Sequence, residues 1–100
     1  MGRASRTKGV EGEAEVRRIF QTAGWDVRGL EGLGDWLCMI GGEQTLHLEV
    51  KRQERLQLPS WLRQAAAEAP QGVLPVVAFR QNRGEWYAAL RLADLAELAS

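Results

Sequence analysis

The chain has 100 residues, enough for one small domain with a modest core of its own. Its 45% hydrophobic and 26% charged content excludes a disordered polyelectrolyte. Thirteen basic residues balance thirteen acidic ones, which excludes a global positive field; a polyanion would have to be met by a local patch.

Cys38 stands alone, so no intramolecular disulfide forms and a reducing, cytoplasmic setting is expected. No apolar run approaches the roughly 20 residues that span a bilayer, so no membrane association is expected.

Residues 1–8 carry Arg3, Arg6 and Lys8 with no acid. With almost nothing apolar to bury, they are expected to form a flexible basic arm, either solvated or folded against a phosphate backbone. From about Glu11 to Ala23, Val16, Ile19, Phe20 and Ala23 recur at helical spacing, and Gly24 supplies a stop. Glu13 falls nearly on the apolar stripe, whereas Glu11 and Glu15 turn elsewhere. A carboxylate leaning toward a core needs compensation.

A short strand is expected around Trp25 to Arg28, followed by the glycine-rich connection Gly29 to Gly34. Asp35 to Ile40 reads as a buried strand, with a hairpin turn at Gly41-Gly42. Thr45 to Lys51 alternates: Leu46, Leu48 and Val50 face the core, and Thr45, His47, Glu49 and Lys51 share the other face. A helix from Pro59 to about Ala69 follows, with Leu62, Ala65, Ala66 and Ala69 as its apolar stripe. Val76 to Phe79 is a further strand with Pro75 at its start or on an edge. Asn82-Arg83-Gly84 is a turn, Trp86 to Leu90 a fifth strand, and Leu92 to Leu98 a terminal helix. The expected order is α-β-β-β-α-β-β-α. This is an α/β fold with a single mixed sheet of about five strands flanked by helices, and residues 9–100 form one domain.

Three features converge on chemistry. Asp35 opens one strand; Glu49 and Lys51 emerge from one face of the next, about 6.6 Å apart along the chain; and Glu13 leans inward. Carboxylates brought together by a hairpin repel unless a cation neutralises them. Oxygen ligands suit magnesium or manganese, which acidify water and polarise a phosphoryl oxygen. Lys51 is placed to orient that water or to offset charge on the phosphate. The Val50 backbone carbonyl could add a ligand. The chemistry suggested is phosphodiester hydrolysis. The rival reading of the same spacing is an ordinary surface Glu–Lys pair on an amphipathic strand.

Gly34-Asp35 and Glu49-Val50-Lys51, preceded by Lys8-Gly9 and by Glu13 on the first helix, resemble the PD-(D/E)xK nuclease superfamily. Within it, the chain looks most like the small archaeal and phage-type Holliday junction resolvases. The resemblance runs from Lys8 to about Leu98, with one departure: Gly34 stands where a proline often precedes the Asp. It implies a restriction-endonuclease-like core and a magnesium-dependent endonuclease in which manganese substitutes. Glu13, Asp35, Glu49 and Lys51 would be catalytic. Asp35, Glu49, the Val50 carbonyl and, through water, Glu13 would hold the metal. The implied substrate is branched or double-stranded DNA, cut by paired symmetric nicks in four-way junctions. One site per chain then implies a homodimer. A protein this small suits a phage, acting in the host cytoplasm. The alternatives are another structure-selective or nicking nuclease of this fold, and a non-catalytic nucleic-acid-binding module.

Gln64, on the helix after Glu-x-Lys, sits where some relatives place a supporting glutamine; a solvated helical glutamine is the other reading. His47 shares the face of Glu49 and Lys51 and is read as a packing or substrate-contact residue in preference to a transition-metal ligand. Cys38 is read as core. The expected phosphate contacts are Arg3, Arg6, Lys8, Arg52, Arg55, Arg80 and Arg83. Trp61, Trp86 and the terminal helix are the expected apolar contacts of a dimer.

Overall fold

The computed structural model describes the backbone of residues 2–30, 35–40 and 44–99, and side chains over 11–28 and 44–98. The architecture is mixed α/β. In chain order the elements are α1 (Gly2–Thr22), β1 (Asp26–Leu30), β2 (Asp35–Ile40), β3 (Gln44–Arg52), α2 (Leu58–Glu68), β4 (Leu74–Arg80), β5 (Tyr87–Ala89) and α3 (Leu92–Ala99).

Helix α1 starts at Gly2, about nine residues before the point the periodicity marks. From Gly2 onward the basic segment expected as a separate arm is continuous with the helix. Its glycines each cost about 1 kcal/mol against alanine, but with no proline to break it each added residue still gains a backbone hydrogen bond. The helix ends where Trp25 N donates to Phe20 O at 3.0 Å and Gly24 N to Gln21 O at 3.0 Å. Gly24 adopts φ +97, with nothing within 4 Å of where a Cβ would stand. Gly24→Ala therefore carries backbone strain alone, and thermal unfolding should show a loss of about 1 kcal/mol.

The strands lie in the order β1-β2-β3-β4-β5 in one open mixed sheet. β1, β2 and β3 pair antiparallel, β3 and β4 run parallel, and β5 returns antiparallel to β4. A parallel neighbour cannot be reached by a tight turn, and α2 makes the crossover from β3 to β4. The turn expected at Gly41-Gly42 lies outside the described residues. The turn at Asn82-Arg83-Gly84 is closed by Gly84 N donating to Gln81 O at 3.0 Å, with Arg83 at φ 62. Pro75 is the second residue of β4, before β5 begins its pairing at Val77, where a missing N–H is tolerated.

Helices cover both faces of the sheet. On one face Val16 of α1 packs on Leu46, Leu48, Val76 and Ala78, with Phe20, Trp25, Val50 and Trp86 around them. On the other, Trp61 and Ala65 of α2 pack on Val77, flanked by Leu58, Leu62 and Phe79. Two expectations are corrected here. Ile19 is 50% exposed, because Val16 and Phe20 already carry α1 onto the sheet. Trp61 is only 4% exposed and anchors α2, so it is no candidate for a dimer contact. The buried face of α2 is rotated toward Leu58, Trp61 and Ala65, since the indole buries far more apolar surface than an alanine.

Candidate metal centre

The strict alternation of β3 directs Leu46 and Leu48 to the α1 face and His47 and Glu49 to the α2 face. Because α2 lies over that second face, it is not an open surface. His47 is fully buried and Glu49 is 6% exposed. Lys51 follows on the same face, its Nζ 3.4 Å from Glu49 Oε1. A carboxylate this buried is costly unless paired, and the half-buried ammonium offsets part of that cost.

The last residue of α2 closes the cluster. Glu68 reaches back toward β3, and one ligand atom from each of His47, Glu49 and Glu68 lies within 4.8 Å of the others. Gln64, one turn earlier, donates from Nε2 to Glu68 Oε1 at 3.3 Å. Gln64 is thus linked to the centre through Glu68 while remaining exposed on α2. Burial holds the His47 imidazole below its ordinary pKa, and the charges of Glu49 and Glu68 push it the other way. Its full burial agrees with the packing role expected for it, and it also stands within this cluster.

Asp35 begins β2, where it pairs with Leu30 of β1, and the ladder between β2 and β3 ends at Trp36 and Leu48, the immediate neighbours of Asp35 and Glu49. The Asp35 side chain is outside those described. Glu13 does not join the cluster with His47 and Glu68. It is half-buried on α1, across the sheet, yet within electrostatic reach of Glu49. Burial raises the Glu13 pKa, Arg17 opposes the rise and the Glu49 charge adds to it. A folded-state pKa above the ordinary value means that stability is lost as pH climbs from the usual carboxylate range through the raised value. Glu13→Gln should therefore melt higher than the parent chain at about pH 7 in EDTA, with the gap closing near about pH 4.

Two of the arginines expected on phosphate are engaged within the chain. Arg52 Nη1 lies 3.0 Å from Glu11 Oε2, and Arg80 Nη1 lies 2.6 Å from Glu15 Oε1. Both pairs tie α1 to the sheet, and Glu15, expected to face away, is half-buried by its pair. Arg55 and Arg83 are exposed. The side chains of Arg3, Arg6 and Lys8 are outside those described, as is that of Cys38.

Glu68 is the residue that sequence reasoning missed. Its signal was present: a crossover helix after Glu-x-Lys must lie along the sheet, and Gln64 and Glu68 share one side of it at i, i+4 spacing.

As a donor set, a buried carboxylate, an imidazole and a second carboxylate at this separation suit a divalent ion. No helix among the described residues is long and apolar enough to cross a membrane. Neither a protein-family model nor a curated protein matches the sequence.

Proposed function

We propose that the chain is a divalent-metal-dependent endonuclease that hydrolyses DNA phosphodiesters, acting as a homodimer that places paired nicks in four-way junctions. The observation that carries this reading is the Glu49–Lys51 pair. A nearly buried carboxylate and an ammonium 3.4 Å apart share one strand face, next to the end of the β2–β3 ladder at Trp36 and Leu48. The restriction-endonuclease-like reading is supported by the connectivity, a helix, three antiparallel strands and a crossover helix into a parallel fourth strand.

In this reading Asp35, Glu49 and the Val50 carbonyl hold magnesium, or manganese in its place, with Glu13 acting through water. The ion, when bound, supplies positive charge that polarises a phosphoryl oxygen and acidifies water. Glu49 is held in place by the rigid centre of the sheet. Lys51 orients the attacking water and offsets the charge that builds on the phosphate. Arg55 and Arg83, both exposed, are available to the DNA backbone, with the basic residues Arg3, Arg6 and Lys8 beside them in role. Arg52 and Arg80 would first have to exchange their carboxylate partners for phosphate. With Trp61 buried and Trp86 packed against the core, the dimer contact rests on the terminal helix, whose Leu92, Leu95 and Leu98 are exposed, with the exposed Tyr87 added to it.

The test is cleavage of a labelled synthetic four-way junction in magnesium and in manganese, beside duplex, flap and single-stranded controls. Symmetric nicks at the junction are expected. Cutting of flaps or duplex alone would retain the nuclease and remove the junction assignment. Binding of the junction with no cleavage in either metal would leave a nucleic-acid-binding module.

A further inference from the structure

We propose that His47, Glu49 and Glu68 form a mixed nitrogen–oxygen site for one first-row transition-metal ion, giving the chain a preference for manganese, cobalt or zinc over magnesium. The site shares Glu49 with the proposed nuclease centre, but it does not depend on DNA being the substrate.

The first argument is the donor set. Magnesium favours an all-oxygen, largely hydrated shell, whereas imidazole suits the borderline transition metals. A fully buried histidine two residues before a nearly buried glutamate brings nitrogen and oxygen donors to one point of a rigid strand. The second argument is separation. Donors on one ion at metal–ligand distances of about 2.1 Å stand about 3.0–3.4 Å apart in cis-octahedral or tetrahedral geometry, and a pair on opposite sides about 4.2 Å. The three donor atoms lie within 4.8 Å of one another, so closure draws them together by up to about 1–2 Å, within the reach of side-chain rotation. Glu68 is exposed at the end of its helix, where a change of rotamer supplies that adjustment.

The third argument is electrostatic. Glu68 occupies the C-terminal end of α2, where the helix dipole is negative and a carboxylate is disfavoured. The last turn of α2 contains no basic residue. A second carboxylate, Glu49, faces it from β3. Two carboxylates and a helix C-terminus converge on one imidazole, and the Lys51 ammonium, 3.4 Å from Glu49 Oε1, offsets one of the two charges, which leaves net negative potential where a cation would sit. Gln64, bonded to Glu68 Oε1 at 3.3 Å, orients that carboxylate from outside, as groups behind metal ligands commonly do.

The test uses cobalt(II) as the probe, read by its visible absorption and by calorimetry on the whole chain. Cobalt should bind at one ion per chain and resist displacement by a hundredfold excess of magnesium (about 2.7 kcal/mol of discrimination). His47→Gln and Glu68→Gln should each weaken cobalt binding at least about tenfold. Glu68→Gln lies on the surface and relieves the repulsion just described, so in EDTA it should melt at or slightly above the parent, which separates loss of a ligand from loss of fold. Parent-like cobalt affinity in Glu68→Gln, or displacement by equimolar magnesium, would overturn the site. Junction cleavage is run in parallel. Cleavage in magnesium with unaltered cobalt binding in the variants sinks this site and keeps the nuclease. Cobalt binding that depends on His47 and Glu68, with no DNA cut in any metal, keeps the site and sinks the nuclease.

Discussion

Glu49→Gln is expected to lower junction cleavage by about a thousandfold or more, which corresponds to roughly 4 kcal/mol of transition-state stabilisation. The amide keeps the volume of the side chain, so the packing between β3 and α2 is retained. It removes the negative charge that would anchor a divalent ion and that now faces Lys51 Nζ at 3.4 Å. Stability should change little by comparison. An amide is cheaper to bury than a carboxylate, and the half-buried Lys51 can turn its ammonium toward water. The measurement is single-turnover cleavage of a labelled four-way junction at saturating enzyme, with a thermal melt of the same preparation. A large drop in rate with an unchanged melt places Glu49 in the chemistry. An unchanged rate would remove Glu49 from the active site and, with it, the assignment of the chemistry to the Glu49–Lys51 pair.

Trp61→Ala carries the largest expected loss of stability, about 3–5 kcal/mol. Trp61 is 4% exposed and fills the space between α2 and the sheet against Ala65 and Val77. Its ring lies 6.5 Å from that of Phe79. A domain of this size is stable by about 5–15 kcal/mol in total, so the variant should melt roughly 15–30 °C lower. The cavity also loosens the helix that brings Glu68 to His47 and Glu49, so cobalt affinity should fall with stability. Were Trp61 a dimer contact instead, its loss would change the oligomeric state on dilution and leave the melting of the monomer almost untouched. Calorimetry beside sedimentation distinguishes the two outcomes.

Much of the frame is legible from local patterns. The alternation of Leu46, Leu48 and Val50 with His47, Glu49 and Lys51 marks β3 and its two faces, because a strand repeats every two residues whatever it packs against. Gly24 marks the end of α1, because a left-handed backbone there favours glycine. The antiparallel pairing of β2 with β3 follows from the hairpin expected between them, and its ladder reaches Trp36 and Leu48, next to Asp35 and Glu49.

Other features do not reside in any local stretch. On α2, Leu62 with Ala65, Ala66 and Ala69 has helical spacing, and so does Leu58 with Trp61 and Ala65. Periodicity cannot choose between overlapping stripes, and the sheet uses parts of both: Trp61 and Ala65 are buried, with Leu58 and Leu62 packed beside them. The α1 acids show the same limit. Helical phase turned Glu11 and Glu15 away from the core, but the sheet brings Arg52 and Arg80 to them, converting expected phosphate contacts into ties between layers.

The sequence by itself determined the residue types that could bind a metal and the strand that carries two of them. It did so because side-chain chemistry and strand phase are local properties. Only the tertiary structure decided that His47 and Glu68 meet at Glu49. That meeting depends on the crossover helix folding back over one face of the sheet, which brings together residues 47 and 68, twenty-one positions apart.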